Sequence, residues 1–180
     1  HELSDYFTED AVLDVDGTYL KTDMLLECLW AGVGRDPLGV LRAVWTHRGN
    51  LPLLKRELAR IAPLRTDLLP VNPDMVNLAR ESIAAGREVV LASASDESLV
   101  QRLSAEQGLG PRIFASDGET NLKGERKAEA LVAAYGEAGF DYAGNAPVDR
   151  AVWDHSENAL IVGHLPAVAR ELSAKGRSVS

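Results

Sequence analysis

The chain is poor in cysteine, and this limits how it can be stabilised. Only one of its 180 residues is a cysteine, Cys28, so an intramolecular disulfide is excluded. A lone thiol is typical of proteins in reducing compartments. We therefore expect a cytoplasmic protein.

Long apolar runs are also missing. No run approaches the roughly 18 residues that a membrane-spanning helix needs, and no signal-peptide pattern is visible. We therefore expect no membrane insertion by this segment. The first residue is His, and residues 174–180 turn small and polar, which leads us to expect one domain of a longer protein.

Positive charge is scarce overall but unevenly distributed. The chain has 19 Lys and Arg against 27 Asp and Glu, a net charge of −8, which argues against a nucleic-acid partner. Residues 24–68 hold seven basic and four acidic residues, a balance of +3, so the remainder carries −11. This balance suggests an anionic small-molecule substrate, although charges on small helices are usually just a solvated surface.

Helical and strand-like segments alternate along most of the chain. The length suits one domain with a small insertion. Predicted strands cover residues 11–13, 88–92, 112–115, 140–143 and 159–162, and predicted helices cover 74–85, 96–107, 125–138, 147–155 and 166–175. This alternation predicts an α/β fold, a doubly wound parallel sheet with helices on both faces.

Residues 24–69 interrupt this alternation with helices alone. Helices are predicted over 24–31, ended by Gly32-Val33-Gly34, and over 38–48 and 53–61. Leu38, Leu41 and Trp45 are spaced to share one face of the second helix. We therefore expect residues 1–23 and 70–180 to form the α/β core, with residues 24–69 as a small all-helical cap.

The segment Ala-Val-Leu-Asp-Val-Asp-Gly-Thr at residues 11–18 is the most informative stretch. A short apolar run, typical of a buried parallel strand, leads directly to Asp14 and Asp16. Ligands bind beyond the carboxyl ends of such strands. There, one carboxylate can attack while the other moves a proton, or both can help to hold a hard cation. The alternative is a plain Asp-Gly turn.

Three further polar clusters follow other predicted strands or precede a helix. They are Ser93-Ala94-Ser95, Asn121-Leu122-Lys123-Gly124, and Gly144-Asn145 through Asp149. Each has an ordinary explanation: a serine helix cap, a surface lysine, a turn asparagine, or an aspartate in the first turn of a helix. The order and placement of all the clusters together favour an active site.

The four clusters together resemble the motifs of the haloacid-dehalogenase (HAD) superfamily, in its phosphoserine-phosphatase-like branch with a helical cap. The resemblance implies that Asp14 is a nucleophile and Asp16 a general acid/base, and that Gly17 and Thr18 next to them bind phosphate. It also implies that Ser93, Ala94 and Lys123 bind phosphate, with Lys127 a poorer candidate for the lysine. A carboxylate at position 16 fits phosphatases rather than dehalogenases, because a halide leaving group needs no proton.

A magnesium ion is the cofactor that the resemblance implies. Asp14, the backbone carbonyl of Asp16 and the side chain of Asn145 would be its ligands, and Asp149 would orient them. Members of this superfamily usually have an aspartate where this chain has Asn145, which keeps an oxygen but removes a charge. The chain is also similar to phosphatase-like domains fused to membrane prenyltransferases. A catalytically weak regulatory or binding domain of such a protein is therefore the alternative to a phosphatase.

Overall fold

A single parallel sheet forms the centre of the computed structural model, which describes residues 3–176 and 178–179. Within that part of the chain the sheet has six strands in the order β3-β2-β1-β4-β5-β6. They are β1 (Asp10–Asp14), β2 (Val89–Asp96), β3 (Ile113–Ser116), β4 (Phe140–Gly144), β5 (Asn158–Ile161) and β6 (Ser178–Val179). The predicted doubly wound α/β fold is confirmed.

Eight α-helices accompany the strands in the described residues. They are α1 (Met24–Arg35), α2 (Pro37–His47), α3 (Leu51–Ile61), α4 (Pro73–Ala84), α5 (Glu97–Glu106), α6 (Glu125–Tyr135), α7 (Arg150–Trp153) and α8 (Pro166–Ala174). Short 3₁₀ turns cover Leu3–Tyr6, Thr66–Leu68 and Pro147–Asp149. None of these helices is long and apolar enough to cross a membrane.

Strand β1 lies in the middle of the sheet and is buried on both faces. Ala11 and Leu13 belong to one core cluster, together with residues of α4 and α5. Val12 belongs to a second cluster with residues of α6, α7 and α8. Because side chains alternate along a strand, β1 contributes to the core on both sides of the sheet. Its apolar run needs no polar face, as the sequence predicted.

The helices α1, α2 and α3 pack on one another, and α3 also contacts β2. The predicted end of α1 at Gly32-Val33-Gly34 is wrong, since the helix continues to Arg35. A Cβ on Gly32 would lie 2.7 Å from Cγ2 of Val40. Gly32 therefore serves the close approach of α2 rather than ending α1. The boundaries of the cap at 24 and 69 stay a prediction.

Helix α2 is capped by Asp36, whose side chain accepts a hydrogen bond from the backbone N–H of Gly39 at 2.8 Å. Its buried side is formed by Val40 and Ala43. Leu38, Leu41 and Trp45 do share a face, but that face points to solvent.

The polar tail predicted at residues 174–180 lies partly outside the described residues. Residues 178–179 form β6, a short strand that pairs with the edge of β5. Parallel pairing with β5 thus gives residues 178–179 a strand structure, although their composition predicted a linker.

Candidate active site

A cleft of about 330 Å³ opens at the carboxyl ends of the central strands. In this strand order the winding reverses between β1 and β4, which is where doubly wound sheets bind ligands. All four polar clusters of the sequence contribute to the cleft, and the cap closes part of it. The lining includes Asp14, Asp16, Ala94, Ser95, Lys123, Lys127, Asn145 and Asp149 from the core, and Leu25, Leu51 and Lys55 from the cap.

Asp14 is the last residue of β1 and lies at the floor of the cleft, only 8% exposed. One carboxylate oxygen accepts a hydrogen bond from Nζ of Lys127 at 2.9 Å. The other accepts one from Oγ1 of Thr18 at 3.3 Å. Burial raises the pKa of Asp14 to about 6, although Lys127 opposes this rise. Asp14 is therefore mainly ionised at neutral pH and available as a nucleophile or ligand.

Lys127, and not Lys123, reaches this carboxylate. Its ammonium group also donates to the hydroxyl of Tyr142 at 3.1 Å and lies 3.9 Å from a carboxylate oxygen of Asp149. Desolvation lowers the pKa of Lys127, but the charges of Asp14 and Asp149 more than offset this, and the net pKa is raised. The geometry favours Lys127 over Lys123 as the partner of Asp14, while the catalytic role of either lysine stays a prediction. Helix α6 starts at Glu125, so Lys127 lies in its buried first turn and Lys123 on the preceding loop.

Asp16 lies at the junction between the core and the cap. Its carboxylate accepts hydrogen bonds from the backbone N–H of Met24 at 2.9 Å and from Oγ of Ser95 at 3.0 Å. Burial raises its pKa, and these two hydrogen bonds only partly counter that effect. A carboxyl group with a raised pKa is suited to exchange a proton with substrate.

The hydroxyl nearest the cleft belongs to Ser95 rather than Ser93. Among the described residues, those lining the cleft include Ala94 and Ser95 but not Ser93. Ser93 is 1% exposed, and its oxygen accepts the backbone N–H of Ser95 at 3.0 Å. Neither serine caps α5, since that cap is Asp96. Strand β2 runs beyond its predicted end, so Ser93 is a buried strand residue rather than the first residue of a loop.

Gly17 and Thr18, expected to bind phosphate, instead contact two residues that line the cleft, Asn145 and Asp14. Thr18 is fully buried, and its hydroxyl donates to Asp14. Gly17 has a φ of +76°, and a Cβ at this position would overlap the side-chain amide of Asn145. Glycine at this turn therefore allows the loop after β1 and the loop after β4 to touch.

Asp149 fixes the loop that carries Asn145. One oxygen of Asp149 accepts the backbone N–H groups of Asn145 and Ala146, each at 3.1 Å. The other accepts the hydroxyl of Tyr142 at 2.9 Å. Asp149 is 3% exposed, so it acts on the cleft mainly by holding this loop and by its charge. The structure thus places Asp14, Asp16, Asn145 and Asp149 around one cleft, as the sequence predicted.

Comparison of sequences finds similarity to a much longer protein. No family model matches the chain. The uncharacterised protein y4nM of Sinorhizobium fredii is 33% identical over 152 residues, which are 84% of this chain but 29% of that protein. This chain therefore spans about three tenths of the length of its curated relative.

Solved structures resemble the chain over nearly its whole length. A HAD-family hydrolase from Salmonella enterica serovar Typhi has a TM-score of 0.64 at 14% identity, over 91% of this chain and 65% of the other. A substrate-bound phosphoserine phosphatase has a TM-score of 0.61 at 14% identity, over 91% and 90%. A predicted phosphatase from Clostridium acetobutylicum has a TM-score of 0.64 at 10% identity, over 95% and 92%. The chain has the phosphoserine-phosphatase-like HAD fold.

The oxygen donors of this HAD cleft suit a magnesium ion better than a softer metal. The described residues contain no group of three or more His, Cys, Asp or Glu side chains that could hold a metal. A site here would combine one carboxylate, Asp14, with the backbone carbonyl of Asp16 and the amide oxygen of Asn145. All three are hard oxygen ligands of the kind that Mg²⁺ accepts together with water. Asp149 and Asp16 add negative charge around Asp14, and Lys127 offsets part of it.

Lys55 is a cleft residue that sequence reasoning missed. It extends from α3 of the cap and donates to the carbonyl of Ala94 at 2.6 Å and to Oδ1 of Asn121 at 2.9 Å. It is 8% exposed, and desolvation lowers its pKa. In the sequence it was only one of seven basic residues in the cap, because periodicity does not distinguish a lysine that faces a cleft from one that faces solvent.

Proposed function

We propose that the chain is a magnesium-dependent phosphatase that hydrolyses a phosphate monoester through an aspartyl-phosphate on Asp14. The main support is the different environment of two carboxyl groups at one strand end. Asp14 is ion-paired with Lys127, whereas Asp16 is hydrogen-bonded to two uncharged donors. Pairs of carboxyl groups in different environments divide the roles of nucleophile and proton donor.

The proposed reaction has two steps. An oxygen of Asp14 attacks phosphorus, the bond from phosphorus to the leaving oxygen breaks, and Asp16 donates its proton to that oxygen. Asp16 then accepts a proton from water, which attacks the phosphorus and releases inorganic phosphate from Asp14. Lys127 and Lys123 would offset the charge of the phosphoryl oxygens during both steps.

Magnesium would be held by Asp14, the carbonyl of Asp16 and Asn145, and Asp149 would keep the Asn145 loop in place. When bound, the ion supplies positive charge between an anionic nucleophile and an anionic ester. The substrate would be a phosphorylated small molecule whose remaining part contacts the cap residues Leu25, Leu51 and Lys55. Buried, unpaired Cys28 fits work in a reducing compartment such as the cytoplasm.

Phosphate release from an aryl phosphate, measured against magnesium concentration, tests the proposal. We expect saturable, magnesium-dependent turnover by the parent. Asp14→Asn should abolish it while the melting curve keeps one cooperative transition, since only the nucleophile is lost. Asp67→Asn, which changes an exposed aspartate outside the cleft, should retain full turnover. If Asp14→Asn stays within tenfold of the parent, Asp14 is not the nucleophile.

A catalytically weak regulatory or binding domain is the second candidate. Asn145 in place of a carboxylate favours it, and so does a curated relative more than three times as long as the matched region. The same titration separates the two functions. A parent that binds magnesium, or a phosphate analogue such as beryllium fluoride, without turning over any ester would support the regulatory domain.

A further inference from the structure

The outward face of α2 is strongly apolar for a helix in contact with solvent. Leu38, Leu41 and Trp45, which we call the outer stripe, are 75%, 65% and 71% exposed. Their spacing places them within roughly 60° of one another around the helix axis. Single exposed apolar side chains are ordinary, whereas a contiguous set marks an interaction surface.

The outer stripe does not contribute to the packing of the cap. Helix α2 is anchored by Val40 and Ala43, which are 5% and 6% exposed. Val40 also packs against Gly32 of α1. Trp30 on α1 is a second tryptophan with high exposure, 66%. Two of the three tryptophans of the chain thus face outward from the cap.

Two arginines flank the outer stripe, and one acidic residue, Asp36, caps the N-terminal end of the same helix. Arg42 is exposed on the same helix, and the guanidinium of Arg48 lies 4.6 Å from the centroid of the Trp45 ring. Residues 37–50 contain no Asp or Glu, although the whole chain carries −8. Leucine and tryptophan side chains bordered by arginine are typical of helices that lie in the headgroup region of an anionic bilayer.

We propose that the outer stripe docks on the surface of an anionic lipid bilayer. Leu38, Leu41 and Trp45 enter the headgroup region, and Arg42 and Arg48 contact lipid phosphates. Helix α2 has 11 residues, so it lies along the surface and does not span it. The acidic core is repelled by the same lipids, and this orients the cap toward the bilayer.

A second copy of the chain fits this surface less well. Homodimers usually have two-fold symmetry, so the same patch of each copy would face the other. Both patches would then carry Arg42 and Arg48 into the interface, with no acidic residue in 37–50 to offset them. Charge complementarity therefore favours the lipid surface.

Vesicle flotation tests the proposal with the 180-residue chain and no substrate. We expect binding to phosphatidylcholine vesicles that contain phosphatidylglycerol, weaker binding to pure phosphatidylcholine, and a decrease with added salt. Trp45 fluorescence should shift to shorter wavelength on binding, and Trp45→Phe should remove most of the shift. Asp14→Asn should bind as the parent does, since the outer stripe is independent of the proposed nucleophile.

Two matched pairs of variants make the test specific. Leu41→Ser should weaken binding about tenfold, since the contact loses a leucine that the bilayer would bury. Ile83→Ser should have no effect. Ile83 is 46% exposed on α4 of the core. Arg42→Gln should weaken binding to anionic vesicles about fivefold, the worth of one cation near such a surface, whereas Arg80→Gln on α4 should not.

Three results would overturn the proposal. The first is a parent that stays unbound from anionic vesicles at low salt. The second is equal binding by Leu41→Ser and Ile83→Ser. The third is a dimer of the parent in sedimentation that Leu41→Ser converts to a monomer, which would assign the outer stripe to self-association.

Discussion

At the scale of single residues, Lys127 connects Asp14 with the residues that hold the Asn145 loop. Its ammonium group contacts Asp14 directly and Tyr142 on the far side, and Tyr142 in turn donates to Asp149. The phenol of Tyr142 is fully buried, and burial together with these two aspartates raises its pKa well above 10. Tyr142 is therefore a neutral donor that connects the nucleophile to the Asn145 loop.

Replacing the two candidate lysines separately tests which one serves Asp14. Lys127→Met should lower turnover by roughly 10²–10³-fold, the effect of losing one preorganised donor to developing charge. It should also lower the melting temperature, because Asp14 and Asp149 lose their buried counter-charge. Lys123→Met should cost less turnover and leave the melting temperature unchanged. The opposite order of losses would restore Lys123 as the catalytic lysine.

Asn145→Asp should tighten magnesium binding. A carboxylate there adds a full charge within about 2 Å of the ion, and this attraction should exceed the repulsion from Asp14. Without magnesium, the same repulsion should lower the melting temperature. The measurements are half-saturating magnesium for turnover and the melting temperature with and without the ion.

Asn50→Asp is the matched control for this variant. Asn50 caps α3 through Oδ1, and aspartate caps a helix equally well, so magnesium binding should not change. If Asn145→Asp changes neither quantity, residue 145 is not a ligand.

The positions of Asp14, Asp16, Asn145 and Asp149 could be predicted because each follows a recognisable buried strand. The choice between Lys123 and Lys127 could not, since it depends on the residue at which α6 begins. Lys123 and Lys127 are only four positions apart, yet Lys123 lies on the loop before α6 and Lys127 is buried in its first turn. The burial of Ser93 could not be predicted either, because β2 extends several residues beyond its apolar run.

At the scale of elements, α3 holds the cap against the core with two cations. Lys55 reaches Ala94 and Asn121. Arg56 forms ion pairs with Asp96 at 3.4 Å and with Glu97 at 2.8 Å. The contact of Arg56 with Glu97 is exposed and therefore weak, so Lys55 provides the more important connection.

Limited proteolysis tests whether the cap moves as a unit. Cleavage should occur first within residues 17–23 or 63–73, and a phosphate analogue with magnesium should protect both segments. Lys55→Met should speed this cleavage, whereas Lys175→Met, which changes an exposed lysine outside both segments, should not. Cleavage restricted to the chain ends and unchanged by ligand would show that the helices are fixed to the core.

Periodicity predicted all three cap helices but not their orientation or ends. The spacing of Leu38, Leu41 and Trp45 identifies one face, yet helix geometry is the same whether that face meets a core or solvent. The sequence predicts a stop at Gly32 because glycine is costly within a helix. The contact with Val40 explains why it is placed there, and that contact is tertiary.

For the whole molecule, Asp14 should make stability depend on pH when no metal is bound. Its pKa of about 6 lies above the ordinary aspartate value of 3.8, so the folded chain keeps a proton that the unfolded chain releases. The stabilisation is complete below about pH 4 and is lost as the pH rises through about 6. Relative to Asp14→Asn, the parent should lose about 3 kcal/mol across this range.

Urea unfolding of both proteins between pH 4 and 7, in the presence of a chelator, measures this difference. Asp67→Asn provides the control, because Arg65 lowers the pKa of Asp67 and both folded and unfolded forms are then ionised above about pH 5. Its difference from the parent should stay constant over the upper part of the range. A constant difference for Asp14→Asn as well would mean that burial does not raise the pKa of Asp14.

The central position of β1 has a consequence for the order in which the protein can be assembled during synthesis. β1 emerges first, but its partners β2 and β4 follow only after the whole cap and much of the core. Lys127 lies 113 positions from Asp14, so more than a hundred further residues must be synthesised before the two can meet. Such distant pairing slows folding. Until β2 has been synthesised, β1 is an unpaired apolar strand that a chaperone could bind.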